Sequence, residues 1–249
     1  MIETVVPLPE EAVEEKVVSP FKQRFSDAPW FERLKATPIL LIGAGGIGSW
    51  VAFCLSRIGC GYTIFDMDTV ESHNLGGQLY SLEHVGQNKA LAISALAHQF
   101  SGRENEVQVE GMYTKESPSN EIVIAAFDNM AGRKVAFENW CELMAEDKAN
   151  EKDYLFVDGR LLAEQYQVYA VTCDPKSISR YRETLFEDGA VPDVMCTLKS
   201  TTHCSMGIAS DIIGVLTNFA TNRAYGIDAR EVPFLIEKSI DLFTYNVEV

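Results

Sequence analysis

Short apolar runs alternate along the chain with longer segments in which an apolar residue recurs every three or four positions. The short runs predict buried strands, and the longer pattern predicts helices. The predicted strands lie at 38–42, 62–66, 106–112, 121–127, 154–160 and 166–172, and the predicted helices at 46–58, 87–100, 131–145 and 206–224. Strands and helices that alternate in this way predict an α/β fold, with a mostly parallel sheet and helices on both of its faces.

The two ends of the chain and one internal segment depart from this alternation. Residues 1–27 are acidic, contain proline and show weak periodicity, so we expect an N-terminal arm followed by a single domain at 28–249. Residues 175–193 are polar and predict an irregular crossing loop. Residues 241–249 suit a closing strand, which would belong to an antiparallel C-terminal extension of the sheet.

The composition is typical of a folded soluble protein, with 47% hydrophobic and 23% charged residues. The net charge of −15 argues against a nucleic acid or an anionic membrane as the partner. Residues 38–56 are uncharged, but four glycines interrupt them, which favours a strand, a loop and a helix over a membrane span. We therefore expect neither a nucleic acid nor a membrane as a partner.

The first 16 residues and the cysteines bear on the compartment. Residues 1–16 lack the basic segment and apolar core of a signal peptide. The six cysteines are thinly spread and form no C-x-x-C pair, which favours reduced thiols and a cytoplasmic location. Their spacing also does not match a structural zinc site, so no zinc is expected.

A glycine-rich loop separates the first predicted strand from the first predicted helix. Gly43, Gly45 and Gly48 form G-x-G-x-x-G, which allows a tight turn and lets backbone amides approach a phosphate at a helix N-terminus. Asp66 ends the next predicted strand, where a carboxylate can accept hydrogen bonds from ribose hydroxyls. On these features alone, an NAD-dependent enzyme is the default interpretation.

Polar residues beyond Asp66 favour a triphosphate over a redox dinucleotide. Asn74, Gln78 and Lys89 lie in the polar segment that leads into the second predicted helix. A lysine supplies a point charge for phosphate oxygens, and amides orient them. Asp128 follows the apolar run 121–127, at the edge where open α/β sheets bind ligands, and a carboxylate there can hold Mg²⁺ between phosphates.

Together these motifs resemble the ThiF/MoeB family of adenylating enzymes, relatives of the ubiquitin-activating enzymes. The resemblance covers the glycine loop, D-x-D-x-V-E-x-x-N-L at 66–75, Gln78, G-x-x-K-A at 86–90 and D-N-x-x-x-R at 128–133. It implies a Rossmann-like fold that uses ATP and Mg²⁺ as an adenylyltransferase. The substrate it implies is the C-terminal carboxylate of a ubiquitin-like protein, a sulfur-carrier protein or a peptide. The domain would then have a nucleotide half at about 36–150 and a substrate half at about 151–249.

The resemblance also implies roles for single residues. Asp66 would hold the ribose, Asn74 and Lys89 would contact the phosphates, and Asp128 would bind Mg²⁺. Asp128, Lys89 and Asn74 form the implied catalytic set. The implied cofactor-binding set is Gly43, Gly45, Gly46, Gly48, Asp66, Asp68, Asn74, Gln78 and Lys89.

The sequence departs from the family pattern where an arginine would normally contact the triphosphate. The family reads N-L-x-R-Q, whereas this chain reads NLGGQ, with Gly77 in place of the arginine. Arg24 resembles an N-terminal arginine that relatives pass into a partner subunit's site. We expect a homodimer that pairs through the helices flanking the nucleotide site, as relatives do, because the apolar helix 206–224 and the acidic N-terminal arm exceed what one small sheet needs. Arg57 and Arg133 are further candidate cations, and we expect each to be an ordinary charge on a helix surface.

The C-terminal half offers a candidate nucleophile. Cys196, in PDVMCTLKST, looks like the cysteine–threonine stretch of ubiquitin-activating enzymes and could take the acyl group as a thioester. The alternative is a small buried apolar residue. Cys204 is a weaker candidate because it opens an apolar helix. Asp158 and Arg160 either line the channel of the incoming peptide tail or form a structural ion pair.

Two other functions compete with adenylation. One is a catalytically weak or inactive dimerisation or scaffold subunit of the same family, which the missing arginine favours. The other is an NAD(P)-dependent oxidoreductase, which the set of Asn74, Lys89 and Asp128 disfavours because hydride transfer has no need of it. The retained lysine and aspartate favour an active enzyme.

Overall fold

One sheet of eight strands runs through the computed structural model, which describes residues 24–101, 107–187 and 201–249. In chain order the strands are β1 (Ile39–Ile42), β2 (Tyr62–Phe65), β3 (Val107–Glu110), β4 (Ile122–Ala125), β5 (Leu155–Leu162), β6 (Gln165–Val171), β7 (Leu235–Ser239) and β8 (Thr244–Glu248). In space their order is β3-β2-β1-β4-β5-β6-β7-β8. The pairs from β3 to β5 are parallel and those from β5 to β8 antiparallel, which confirms the predicted fold class.

Helices cover both faces of this sheet. They are α1 (Pro29–Ala36), α2 (Gly48–Ile58), α3 (Lys89–Ser101), α4 (Met130–Glu146), α5 (Pro175–Glu183) and α6 (Thr202–Tyr225), with short 3₁₀ helices at Ser72–Gly76, Leu82–His84 and Glu151–Asp153. Apolar residues of α1, α2, α3 and α6 pack on one face, and those of α4 and α5 on the other. The central parallel strands β1 and β4 are therefore buried on both sides.

The second face carries an aromatic core. Phe137 of α4 has no exposed surface, and its ring centre lies 4.5 Å from that of Tyr181 and 5.1 Å from that of Phe156. Trp140 stacks against Phe137 at 5.8 Å. Large rings of this kind bury the most apolar area per residue, so α4 and α5 are fixed firmly against β5.

Helix α1 was not predicted, and three further elements differ from the prediction. The polar segment 175–193, predicted to be irregular, begins with helix α5, where Pro175 is the first residue and the Asp174 side chain accepts from Ser177 N at 3.0 Å. Aspartate followed by proline is a helix-start signal that the polar composition concealed. Strand β7 was not predicted, and α6 begins at Thr202 rather than at 206.

The two ends of the described chain also bear on the predicted boundaries. Most of the expected arm, residues 1–23, lies outside the described residues, but the Phe25 ring packs 5.3 Å from Trp30 and 5.8 Å from Phe31. Strand β8 covers a narrower range than 241–249, and all five of its residues are exposed. The division into one arm and one domain with two halves stays a prediction.

The turn after β1 is set by close approach of the backbone. Gly43 has a φ of 98°, a conformation that favours glycine, and a Cβ there would lie 2.5 Å from the Ala126 carbonyl oxygen. A Cβ on Gly48 would lie 1.8 Å from the carbonyl oxygen of Gly43. By contrast, a Cβ on Gly45 would meet nothing within 4 Å. Two of the three motif glycines are thus required by packing, and Gly45 faces open space.

This contrast generates a stability prediction for a matched pair of variants. Gly48→Ala should lower the free energy of unfolding by at least about 2 kcal/mol, since the new methyl group would displace the turn backbone. Gly45→Ala should change it by less than about 1 kcal/mol, because the space and backbone conformation both accept alanine. Urea unfolding followed by circular dichroism measures both. Equal losses would contradict the described geometry.

Candidate functional site

The glycine loop brings the N-terminus of α2 to the carboxyl edge of the sheet. The Gly43 N–H donates to the Phe65 carbonyl at 2.8 Å, which ties the loop to the end of β2. Ile47 occupies the N-cap position of α2 and provides no side-chain hydrogen bond. The Ser49 amide donates to the Gly45 carbonyl at 3.1 Å, whereas the amides of Gly48 and Trp50 have no hydrogen-bond partner among the described residues. These two remain available to an anionic ligand, the usual arrangement for phosphate binding.

Asp66 connects the end of β2 to the glycine loop. Its Oδ2 accepts from Ala44 N at 2.7 Å and its Oδ1 from Asp68 N at 2.8 Å. Burial raises the pKa of the Asp66 carboxyl, while these two amides and Lys89 act in the opposite direction. The carboxylate is thus held in one orientation at the edge, where a ribose hydroxyl could reach it.

Lys89 is brought back to this edge by the polar segment that follows Asp66. The backbone of Thr69 pairs with that of Asn88, whose side-chain amide donates to the Asp66 carbonyl at 3.1 Å. Lys89 is only 8% exposed, and its Nζ lies 3.0 Å from Asp68 Oδ2. The ion pair holds the ammonium in place and takes up part of its charge.

Tyr80 supports the same arrangement and was missed in the sequence. Its hydroxyl donates to the Ala44 carbonyl at 2.7 Å and lies 3.3 Å from the Lys89 carbonyl. One buried hydroxyl therefore joins the glycine loop to the start of α3. The only sequence signal is a large aromatic residue within an otherwise polar crossing segment.

Asn74 and Gln78 both lie in this segment, but their side chains are used differently. Asn74 is 9% exposed, and its Oδ1 accepts from Glu71 N at 2.8 Å, which closes the 3₁₀ helix at its start. The Gln78 Oε1 is buried and has no hydrogen-bond partner among the described residues. A buried acceptor without a partner costs about 1–3 kcal/mol, so this atom marks a place for a donor from a ligand or water.

Gly77, the position at which the family has arginine, lies against α2. The Trp50 indole nitrogen donates to the Gly77 carbonyl at 3.0 Å, and the Ser49 hydroxyl accepts from Leu79 N at 3.0 Å. The segment 77–79 is therefore fixed to the first turn of α2 by side chains of that helix. The missing arginine is evident from the sequence, whereas the indole that contacts the glycine is evident only from the structure.

Asp128 lies on the other side of β1. Strand β4 pairs with β1, and the Ala126 N–H donates to the Ile42 carbonyl at 2.8 Å, so the loop after β4 begins beside the glycine loop. The Asp128 side chain is exposed and accepts from Asn129 Nδ2 at 3.1 Å. Asn129 in turn caps α4 by accepting from Gly132 N at 2.7 Å.

The expectation for Arg133 as a helix-surface charge is wrong. Arg133 is 6% exposed, and its Nε donates to Asp158 Oδ1 at 2.8 Å. Asp158 has no exposed surface and also accepts from Arg160 Nε at 2.7 Å. Burial opposes ionisation of this carboxyl, but the two guanidinium groups outweigh it and lower its pKa. Of the two alternatives for Asp158 and Arg160, the structure supports the structural ion pair.

No hydrogen bond or ion pair joins Arg57, Cys204 or Arg24 to the described residues of this edge. The Arg57 guanidinium is exposed in the last turn of α2 and lies 5.9 Å from the centre of the Phe100 ring, as expected for a helix-surface charge. Cys204 has no exposed surface within α6, and Arg24 is exposed. Cys196 lies outside the described residues.

The described residues contain neither a cluster of metal-binding side chains nor a helix that could span a membrane. In residues 24–101, 107–187 and 201–249, no group of three or more His, Cys, Asp or Glu side chains is placed to hold a metal ion. Within the same ranges, none of the helices combines the length and apolar character needed to cross a bilayer.

Comparison with known sequences gives a consistent group of relatives. Adenylyltransferase and sulfurtransferase UBA4 of Yarrowia lipolytica is 38% identical over 93 residues, which cover 36% of this chain and 22% of that protein. The NEDD8-activating enzyme E1 catalytic subunit of Caenorhabditis elegans is 30% identical over 152 residues, which cover 53% and 34%. The chain thus spans about a fifth to a third of the length of these curated relatives.

Solved structures show the same fold. MccB of E. coli with ATP superposes with a TM-score of 0.64 at 15% identity, over 92% of this chain and 70% of that one. PaaA superposes with a TM-score of 0.67 at 17% identity, over 97% and 77%. At such low identities the likeness concerns the fold alone.

A family model supplies the assignment that these partial matches leave open. The model described as the ThiF family matches residues 21–228, which include the glycine loop, Asp66, Lys89 and Asp128. By this match, the chain belongs to the ThiF family.

Proposed function

We propose that this chain is an adenylyltransferase that uses ATP and Mg²⁺ to activate the C-terminal carboxylate of a ubiquitin-like protein, a sulfur-carrier protein or a peptide. The observation that carries the proposal is the arrangement of one edge of the sheet. The uncapped start of α2, Asp66 and the buried Lys89 lie together there, joined by hydrogen bonds to the glycine loop. The loop of Asp128 begins beside them.

The relatives support both the reaction and the class of substrate. UBA4 is named an adenylyltransferase, and further relatives are named ubiquitin-like modifier-activating enzyme 5. MccB has been solved with ATP and with N-formylated MccA. Because the chain spans only part of the curated relatives, we carry their activity and substrates over as a proposal.

The proposed reaction uses these residues in distinct roles. An oxygen of the substrate carboxylate attacks the α-phosphorus, the bond between the α-phosphorus and the bridging oxygen breaks, and pyrophosphate leaves. Asp66 would orient the ribose, and the amides at the start of α2 would bind phosphate oxygens. Lys89 would stabilise the negative charge that grows on those oxygens, and Asn74 and Gln78 would lie next to the same oxygens.

The chemistry of Asp128 fits a magnesium ion that the nucleotide helps to hold. Mg²⁺ is commonly bound by one or two carboxylates together with substrate phosphates and water. The exposed Asp128 carboxylate, with one oxygen engaged by Asn129, can meet that demand. When bound, Mg²⁺ would neutralise charge on the leaving pyrophosphate.

The alternative of a weak or inactive dimerisation subunit rests on Gly77. With three carboxylates of the edge, Asp66, Asp68 and Asp128, set against Lys89, the described chain supplies little positive charge for a triphosphate. The retained Lys89, buried at this edge with its ammonium 3.0 Å from Asp68, favours activity because it places a cation beside the glycine loop. The free thiols of the five described cysteines support the cytoplasm as the compartment.

The Asp128 carboxylate provides a direct test of the proposed reaction. With a carrier protein that ends in Gly-Gly as the carboxylate, Asp128→Ala should lower ATP–pyrophosphate exchange by at least about a hundredfold, since the Mg²⁺ contact at the pyrophosphate is lost. Asp228→Ala, which removes an exposed carboxylate on a different surface loop, should retain full exchange. Full exchange by Asp128→Ala would contradict the mechanism, and exchange by neither variant nor wild type would favour the inactive subunit.

We further propose a homodimer in which Arg24 acts in the partner's site and supplies the charge that Gly77 lacks. Arg24 is exposed and forms no ion pair with the described residues. It could therefore extend towards a second copy.

Mixing two inactive variants tests this arrangement. Arg24→Ala and Asp128→Ala should each lose exchange alone. After subunit exchange, half of the dimers would pair the two variants and contain one intact site, so about a quarter of wild-type exchange should return. Arg33→Ala, at a half-buried arginine of α1 that pairs with Asp153, serves as the control. No recovery in a mixture shown to contain mixed dimers would contradict action in the partner's site.

A thiol of this chain that accepts the acyl group would be Cys196. Burial raises the pKa of Cys60 and Cys141 to about 12 and that of Cys54 and Cys173 above its usual range, which keeps these four as weakly nucleophilic thiols. Cys204 is fully buried. The thiolate would attack the acyl carbon, the bond to the phosphate oxygen would break, and AMP would leave.

Cys196→Ala should then leave pyrophosphate exchange intact and remove a carrier conjugate that is cleaved by a reducing thiol. Non-reducing electrophoresis after incubation with ATP and the Gly-Gly carrier measures the conjugate, and Cys173→Ala is the matched control. A conjugate that persists in Cys196→Ala would contradict the thioester step and favour a packing role for the cysteine.

A further inference from the structure

We propose that Arg133 is a positioning residue for Asp128, acting through the backbone on either side of it. The functional part of this inference rests on the proposed role of Asp128. Arg133 lies in the first turns of α4, and its side chain is turned inwards beneath the loop 127–129. It contacts the loop backbone rather than the Asp128 carboxylate.

The guanidinium holds the two carbonyls that flank Asp128. Its Nη2 donates to the Phe127 carbonyl at 2.6 Å, and its Nη1 donates to the Asn129 carbonyl at 3.2 Å. These are the residues directly before and after Asp128. A planar guanidinium presents its donors in a fixed geometry, so two simultaneous bonds set the orientation of the peptide groups between them.

The other side of the guanidinium is anchored in the centre of the sheet. Its Nε donates to Asp158 at 2.8 Å, and its Nη2 also lies 3.2 Å from the Gly159 carbonyl. Asp158 belongs to β5 and is paired with Ala125, the last residue of β4. The loop that carries Asp128 follows β4, and a buried ion pair connects it to the neighbouring strand β5. Water cannot replace an ion pair in this position.

Asp158 also binds a second arginine, whose other contacts lie away from Asp128. Arg160 donates to Asp158 at 2.7 Å and, through Nη1 and Nη2, to the backbone and side-chain oxygens of Thr184 at 3.2 and 2.9 Å. The Tyr181 hydroxyl adds a bond to Asp158 at 3.0 Å. Arg133 and Arg160 therefore share one buried carboxylate but hold different segments.

Because Arg133 and Arg160 share the Asp158 carboxylate, a substitution of Arg160 is a matched control for one of Arg133. The comparison separates a positioning role from a purely structural one. Arg133→Lys and Arg160→Lys each keep the positive charge near Asp158 and remove the planar fork. Both should lower the melting temperature. If Arg133 positions Asp128, only Arg133→Lys should disturb the loop and its use of Mg²⁺.

The experiment has two readouts. Hydrogen–deuterium exchange of the nucleotide-free protein should become faster over residues 126–133 in Arg133→Lys and over 181–187 in Arg160→Lys. Calorimetry of ATP binding at stepped Mg²⁺ concentrations should show that Arg133→Lys needs about tenfold more Mg²⁺, the loss typical when a group that orients a metal ligand is removed. Arg160→Lys should need less than about twofold more.

Equal effects of the two variants on residues 126–133 or on the Mg²⁺ requirement would overturn the positioning role. So would an Arg133→Lys protein with the exchange and Mg²⁺ requirement of the wild type. If the wild type bound ATP without regard to Mg²⁺, the proposed function would fail, and hydrogen exchange alone would decide whether Arg133 orders the loop. Should Arg133→Lys not fold, Asp158→Asn should speed exchange over both segments, and faster exchange over 181–187 alone would overturn the inference.

Discussion

The close approach of three backbone segments at the end of β1 is the constraint on which the carboxyl edge depends. Gly43, Gly48 and the Ala126 carbonyl are so near one another that no side chain fits between them. The helix α2 can start at the edge of the sheet only because this turn is that tight. The start of α2 therefore lies at the point where the strand order reverses, between β1 and β4, which is where open sheets of this class bind ligands.

The segment between β2 and α3 is fitted to this turn by hydrogen bonds, and its apolar residues Val70, Leu75, Leu79 and Tyr80 pack into the main core. Asp66, at the start of the segment, and Tyr80, in its second half, each bond to the backbone of Ala44. Trp50 fixes its middle at Gly77. These bonds hold a long connection, which would otherwise be mobile, against the glycine loop. They also place Lys89 at the edge, with its ammonium paired to Asp68.

The parallel strands and most of the helices could be predicted from the sequence because their periodicity follows directly from burial on two faces. Helix α5 and strand β7 could not, because α5 is polar apart from the side it buries around Tyr181, and β7 is short and half-buried. In the candidate site, motif spacing led to Asp66, Lys89 and Asp128. It could not distinguish a surface arginine from Arg133, because the partner Asp158 is distant in sequence and only the register of β4 and β5 brings it near.

The ion pair between Arg133 and Asp158 has a consequence for how the protein folds. Asp128 belongs to the first half of the chain, yet the carboxylate that secures its loop comes from β5, and that carboxylate is itself satisfied only when Tyr181 and Arg160 have docked. A folding intermediate that contained only the first four strands would leave Arg133 without its buried counter-ion. The edge would then reach its final form late, after β5 and α5 have joined the sheet, and the two halves should unfold together as one cooperative unit.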